Sequence, residues 1–154
     1  GYDCDFDHVY TRQEIAEFPL ILLERKASSR VFLEQYFLQS GITLTPEIEL
    51  SSRSLLVSLA RIGLGVAGVT LAFVQKALDS GDIRLLALDG VEPTRETIRD
   101  GTYPITETFY AVTASPIGEP PLEERDRTVA AFLDWILSDQ GQRLIQQTGY
   151  VALE

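Results

Sequence analysis

The sequence predicts an α/β fold with a largely parallel sheet, and three observations lead there. The run PLILLE at 19–24 sets large aliphatics between turn and polar residues, as a strand buried on both faces does. From that run to Leu88 the texture alternates strand–helix–strand–helix–strand–helix–strand. The 154 residues, 45% hydrophobic and 23% charged, have globular proportions and suffice for one domain or two small lobes.

Each element has a local signal. The first ten residues hold three aspartates among aromatic and small residues, which predicts a poorly anchored start. Thr11 with Glu14 is a capping-box pair that opens a helix over Arg12 to Glu17, and Pro19 ends it. After PLILLE, Ala27, Ser28 and Ser29 read as a cap for a helix over Arg30 to Ser40. Its expected apolar face is Val31, Phe32, Tyr36 and Phe37, and Gly41 stops it. Pro46 to Leu50 alternates as a strand with Ile48 and Leu50 inward. Ser51 and Ser52 cap a helix over Arg53 to Ile62, and a glycine-rich turn leads to a short strand near Val66 to Val69. A helix over Thr70 to Asp79 closes at Ser80 and Gly81, and Ile83 to Leu88 is expected as the fourth strand.

From Asp89 on, Gly, Pro and Thr recur, with a helical turn expected around Thr94 to Arg99. Ile105 to Thr113 reads as a strand and Ser115 to Pro121 as a proline-rich loop. Leu122 to Leu137 reads as one long helix with Val129, Phe132, Leu133 and Ile136 inward and Trp135 at its edge. Ser138 and Asp139 restart a last helix over Gly141 to Thr148. The boundary in this reading is Leu88: 1–88 as one α/β unit and 89–154 as a second.

Composition excludes several function classes. Thirteen basic against 23 acidic residues give a net charge of −10, negative on both sides of Leu88. Phosphate backbones and anionic lipid would repel such a chain, so nucleic-acid binding by this chain alone is not expected. The single Cys4 excludes an internal disulfide and any multi-cysteine metal site. The longest uncharged stretch, Ile62 to Gln75 once Arg61 is passed, is too short for a bilayer, so no membrane insertion is expected. The start, GYDCDFDH, has no apolar core, so no signal peptide is expected, and the absence of methionine points to a processed or excised chain. The compartment stays unassigned.

Gly63, Gly65 and Gly68 spell GxGxxG with Asp82 following, the pattern of a dinucleotide loop. That loop needs a strand before it and a helix after it, and here the order is reversed. The glycines read better as a helix stop and a tight turn, and no cofactor is expected. Catalytic groups are sparse. His8 is the only histidine, Cys4 has no basic neighbour in sequence, and Glu123 with Glu124 fits a solvated helix start. The chain is therefore expected not to be an enzyme.

The remaining chemical signal is the two serine pairs. Ser28–Ser29 and Ser51–Ser52 each follow a predicted strand and open a helix, where unpaired amides and the positive dipole end favour an anion. In an open parallel sheet both pairs fall on the carboxyl edge, where ligands bind. Serine is also a preferred cap without any ligand, so the plain structural role stands beside the binding one. Arg25, Lys26 and Arg30 next to the first pair add positive charge.

Two stretches carry a family resemblance. YTRQEIAEFPLILLERKASSRVFLEQYF with PEIELSSRSLLVSLARIGLGVAGVTLAFVQKALDSGDIRLLAL resembles the effector-binding domain of LysR-type transcriptional regulators, with RIGLGVAGV the specific piece. DGVEPTRETIRDGTYPITETFYAV with VAAFLDWILSDQGQRLIQQTGYVAL resembles the C-terminal part of phosphate-binding proteins of ABC transporters. Both families share the type II periplasmic-binding-protein fold, two α/β lobes closing on a ligand. The resemblance implies that residues 1–88 form one complete lobe and that 89–154 form the C-terminal part of the other. In it, Ile105 to Thr113 would be the crossover strand, with the last two helices packing beside it.

The same resemblance places Ser28 and Ser29 on the anion loop, Ser-Gly-Thr in the phosphate binders and Thr-Ser-Thr-like in the regulators. Here Ala27 replaces the first hydroxyl, Ser28 stands at the glycine and Leu23 aligns with an upstream arginine. The expected function is a solute-binding-type module for a small, phosphate-like anion or a carboxylate, held by Ser28, Ser29, Ser51 and Ser52 with Arg25 and Arg30 nearby. The alternatives are an effector-sensing, dimerising domain of a LysR-type regulator without its DNA-binding part, and an engineered chimera or fragment of the two families. The expected partner is a second copy or an N-terminal lobe. A regulator would place the chain in the bacterial cytoplasm, a transporter component in the periplasm or at the cell surface.

Overall fold

The computed structural model describes Cys4, Asp5 and residues 7–153. It divides into two compact units, one through Glu107 and one from Thr108 on. Residues 89–107 thus pack with the first unit. The expected loose start lies partly outside the described residues; within them the Asp5 amide donates to the Tyr10 hydroxyl at 2.9 Å.

The first unit opens with α1 (Arg12–Glu17), closed by the reciprocal Thr11–Glu14 capping box. Next come β1 (Leu20–Leu23), α2 (Ser28–Leu38), β2 (Ile48–Leu50), α3 (Arg53–Arg61) and β3 (Val66–Ala67). The strands form a three-stranded parallel sheet in the order β2-β1-β3. Because alternate side chains of a strand face opposite ways, β1 serves two cores. Leu20 and Leu22 pack with Tyr36 and Phe37 of α2, and Ile21 and Leu23 with Leu56 of α3. All four β1 residues are buried, each contributing about 1.5–3 kcal/mol relative to an exposed position.

Within α2, Tyr36 and Phe37 are inward as expected, but Val31 and Phe32 face solvent and Leu33 joins the core instead. The helix begins at Ser28, two residues earlier than expected, and positions 30, 33, 36 and 37, spaced three or four apart, form its inner face. The Tyr36 hydroxyl and the Arg12 Nε both donate to Asp89 Oδ2, at 2.6 and 2.7 Å, and the Arg12 guanidinium lies 4.2 Å from the Tyr36 ring centre.

Beyond β3, a 3₁₀ turn (Leu71–Phe73) precedes α4 (Gln75–Asp79), where a single helix was expected. No fourth strand forms over Ile83 to Leu88. The amides of Asp82, just before it, and of Ile83, its first residue, turn back onto the Ala77 carbonyl, and only Leu88 pairs, antiparallel with Val91. Asp89 (φ 52°) and Gly90 (φ 81°) make the intervening two-residue reversal, a turn that demands left-handed backbone. The unit ends with α5 (Arg95–Arg99), capped by Thr94, and with Tyr103 and Ile105 against the first core.

The second unit holds α6 (Leu122–Arg125), α7 (Arg127–Leu137) and α8 (Asp139–Gln147). The expected long helix is broken at Asp126, whose extended backbone lets its carboxylate accept from the Thr128 and Val129 amides as a cap. Ser138 caps α8 in the same way. Val129, Leu133 and Ile136 are half-buried, while Phe132 is exposed. The segment expected as a strand over Ile105 to Thr113 forms none, having no ladder partner among the described residues.

Candidate functional site at the carboxyl edge of the sheet

All three strands point the same way, so their carboxyl ends share one edge. β2 and β3 flank β1, and the connecting helices α2 and α3 pack on opposite faces of the sheet. That reversal at β1 opens the crevice where ligands of such sheets bind. The exits of β1 and β2 are tied by the Glu24 amide donating to the Leu50 carbonyl at 3.0 Å.

The serine pairs lie at these exits. A tight turn, with the Ala27 amide on the Glu24 carbonyl at 2.9 Å, delivers the chain into α2 directly after β1. Ala27 is therefore the cap residue and makes no side-chain bond, while Ser28 and Ser29 occupy the first turn rather than preceding it. At the β2 exit Ser52 is a true cap, its hydroxyl accepting from the Leu55 amide at 3.3 Å, and Ser51 is exposed beside it. Among the described residues, nothing accepts from the amides of Ser28, Ser29, Arg53 or Ser54. Neither α2 nor α3 carries an acidic residue in its first turn or at its cap, whereas α7 is capped by Asp126 and α8 opens with Asp139. In a chain of net charge −10, both helix starts at this edge lack a carboxylate of their own, a feature they share with the start of α4.

The two expected arginines differ. Arg25 is exposed in the turn after β1. Arg30 is 2% exposed and faces inward. Its Nη1 donates to the carbonyl of Leu23, the last residue of β1, at 3.1 Å, and its Nη2 to Glu34 at 2.7 Å. Glu49 of β2 is 3.8 Å from Nη1. The buried Nε has no partner among the described residues.

Arg53 and Phe73 are not among the site residues expected from the sequence. Arg53 opens α3, and its guanidinium carbon lies 4.6 Å from the centre of the Phe73 ring. A cation at a helix start, against the dipole, was the available signal. Gly63, in left-handed backbone, ends α3, and a Cβ on Gly65 would collide with the Pro19 carbonyl. These glycines thus join a helix to a strand, the reverse of a dinucleotide loop. His8 is exposed, 3.2 Å from Glu14. Among the described residues no group of three or more His, Cys, Asp or Glu side chains could hold a metal, and no helix is long and apolar enough to cross a membrane.

The profile of the LysR substrate binding domain matches residues 7–140. The chain belongs to the LysR substrate-binding-domain family. This LysR-family chain is also 26% identical over 123 residues to the phosphate-binding protein PstS of Borreliella burgdorferi, an alignment covering 79% of this chain and 39% of that protein. To the phosphate-binding protein PstS 2 of Streptococcus agalactiae serotype V it is 31% identical over 75 residues, covering 49% and 23%. It therefore spans well under half the length of these curated relatives. The crystal structure of PstS from Borrelia burgdorferi superposes with a TM-score of 0.57 at 16% identity, over 88% of this chain and 53% of that one. The architecture is the type II periplasmic-binding-protein fold, represented in part, and the LysR-family chain is a ligand-binding domain of that kind.

Proposed function

We propose that the chain binds a small oxyanion, phosphate-like or a carboxylate, at the carboxyl edge of its sheet, and that it acts as a binder and not as an enzyme. The observation that carries this reading is the pair of helix starts, α2 and α3, with free amides, serine hydroxyls and no acidic residue in a strongly acidic chain. Ser28 and Ser29 would supply hydroxyls at one start, Ser51 and Ser52 at the other, and Arg25 exposed charge. Arg30 would hold the end of β1 in place. Similarity to proteins named phosphate-binding supports an oxyanion as the ligand class.

Isothermal titration of the full chain with phosphate, sulfate and acetate tests it. Heat is expected with at least one of them. The Ser28→Ala, Ser29→Ala double variant should weaken that binding about tenfold, the effect of losing a hydrogen bond to a charged group. No heat with any of the three from folded protein would end the proposal.

A second reading, an interaction domain that works by dimerising, is favoured by one observation. The second unit leaves Phe109, Tyr110, Val112, Phe132 and Leu137 exposed.

A further inference from the structure

We propose that Arg53, steadied on Phe73, is the cation that receives the oxyanion at this edge, an inference that rests on the anion reading above. Arg53 directly follows Ser51 and Ser52, so its guanidinium starts from the helix end that offers the free amides. Among the described residues no hydrogen bond or ion pair engages that guanidinium, which lies on the Phe73 ring. Arg12, Arg30 and Arg61 of the same unit are all paired with carboxylates.

The position is electrostatically adverse. A cation in the first turn of a helix opposes the positive dipole end, and α3 has no carboxylate there to offset it. Such local conflicts concentrate at functional sites, and a bound anion between amides and guanidinium would resolve this one. The aromatic contact also gives the side chain a fixed place. A guanidinium lying on a ring keeps its N–H edge free for the two oxygens of a carboxylate or phosphoryl group.

Topology adds reach. Arg53 leaves from β2 and Phe73 belongs to the 3₁₀ turn after β3, while β1 lies between those strands. Their contact therefore joins the segments that leave the two strands flanking β1. Arg30, by contrast, is enclosed and already paired with Glu34, with Glu49 close by, so it holds the end of β1 and offers no receiving charge. Arg25 is exposed in the turn after β1, and among the described residues no aromatic ring holds it.

The test is titration of the full chain with inorganic phosphate and with acetate, using four variants whose circular dichroism matches the parent. Arg53→Gln should weaken binding of the preferred anion about 10- to 100-fold. Arg53→Lys should recover part of that loss, since the charge returns without the fork. Phe73→Leu should cost about two- to fivefold. Lys76→Gln, an exposed charge on α4, should change nothing. Parent binding with Arg53→Gln within twofold of it overturns the role of Arg53 and leaves the anion reading standing. Equal losses in Lys76→Gln and Arg53→Gln would reduce the effect to net charge and also overturn it. An unaffected Phe73→Leu overturns the platform. A parent protein that binds neither phosphate, sulfate nor acetate removes both readings together.

Discussion

Arg30 turns a charged side chain into part of the interior. Its guanidinium reaches the Leu23 carbonyl and Glu34, so a strand end and a helix that would otherwise only touch are joined by directed bonds. Arg30→Ala should lower the unfolding free energy by about 2–4 kcal/mol, combining a stranded carbonyl with lost packing, as urea titration would measure. Tyr36 and Asp89 give the first unit a pH dependence with two limbs. The hydrogen bond from Tyr36, aided by Arg12, holds the Asp89 carboxyl below its usual range, so this stabilisation is present above the ordinary carboxyl value near 3.8 and is lost as pH falls through the lower folded value. Burial, then the contact with Asp89, pushes the Tyr36 phenol from 10.0 up to about 12. The unfolded tyrosine therefore ionises first, and stability falls as pH rises from 10 toward 12. Tyr36→Phe should flatten the alkaline limb and weaken the acid one in urea midpoints measured across pH.

At the scale of elements, what the sequence spelled out was chiefly its caps and buried runs. Thr11 with Glu14 and Ser52 start helices where expected, because a capping side chain bonds to amides two or three residues away. Thr94 caps the turn it was expected to belong to, and Ser138 opens α8 at Asp139, two residues before the expected Gly141. PLILLE was legible for a similar reason: four consecutive aliphatics fit a strand covered on both faces. The strands expected over Ile83 to Leu88 and Ile105 to Thr113 failed because alternation names a face and not a neighbour. Asp126 was read through as helix, although its side chain caps better than it propagates. In the site, the serine pairs were legible because strand–helix junctions are local. The inward turn of Arg30 and the meeting of Arg53 with Phe73 were not, since the first depends on which face of α2 packs on the sheet and the second on strand order.

For the whole molecule the open question of scale is how many chains act together. The second unit is a short helical assembly whose buried positions among the described residues are Gly141 and Ala152. Its aromatic and aliphatic side chains facing solvent are the kind that associate. Light scattering on the eluting protein, with and without phosphate, separates the two functional readings. A dimer whose stability and size ignore anions favours the interaction domain. A species of unchanged size whose melting temperature climbs with anion concentration favours the binder.

One consequence lies in the four residues of β1. Leu20 and Leu22 belong to one core and Ile21 and Leu23 to the other, so the strand is a party wall shared by two rooms. An anion drawn to the amides at its exit would bind the folded form alone, and neither layer could loosen without releasing it. At a hundredfold excess over its dissociation constant that linkage is worth about 2.7 kcal/mol. Through so short a wall, occupancy on one side would be felt as rigidity on the other.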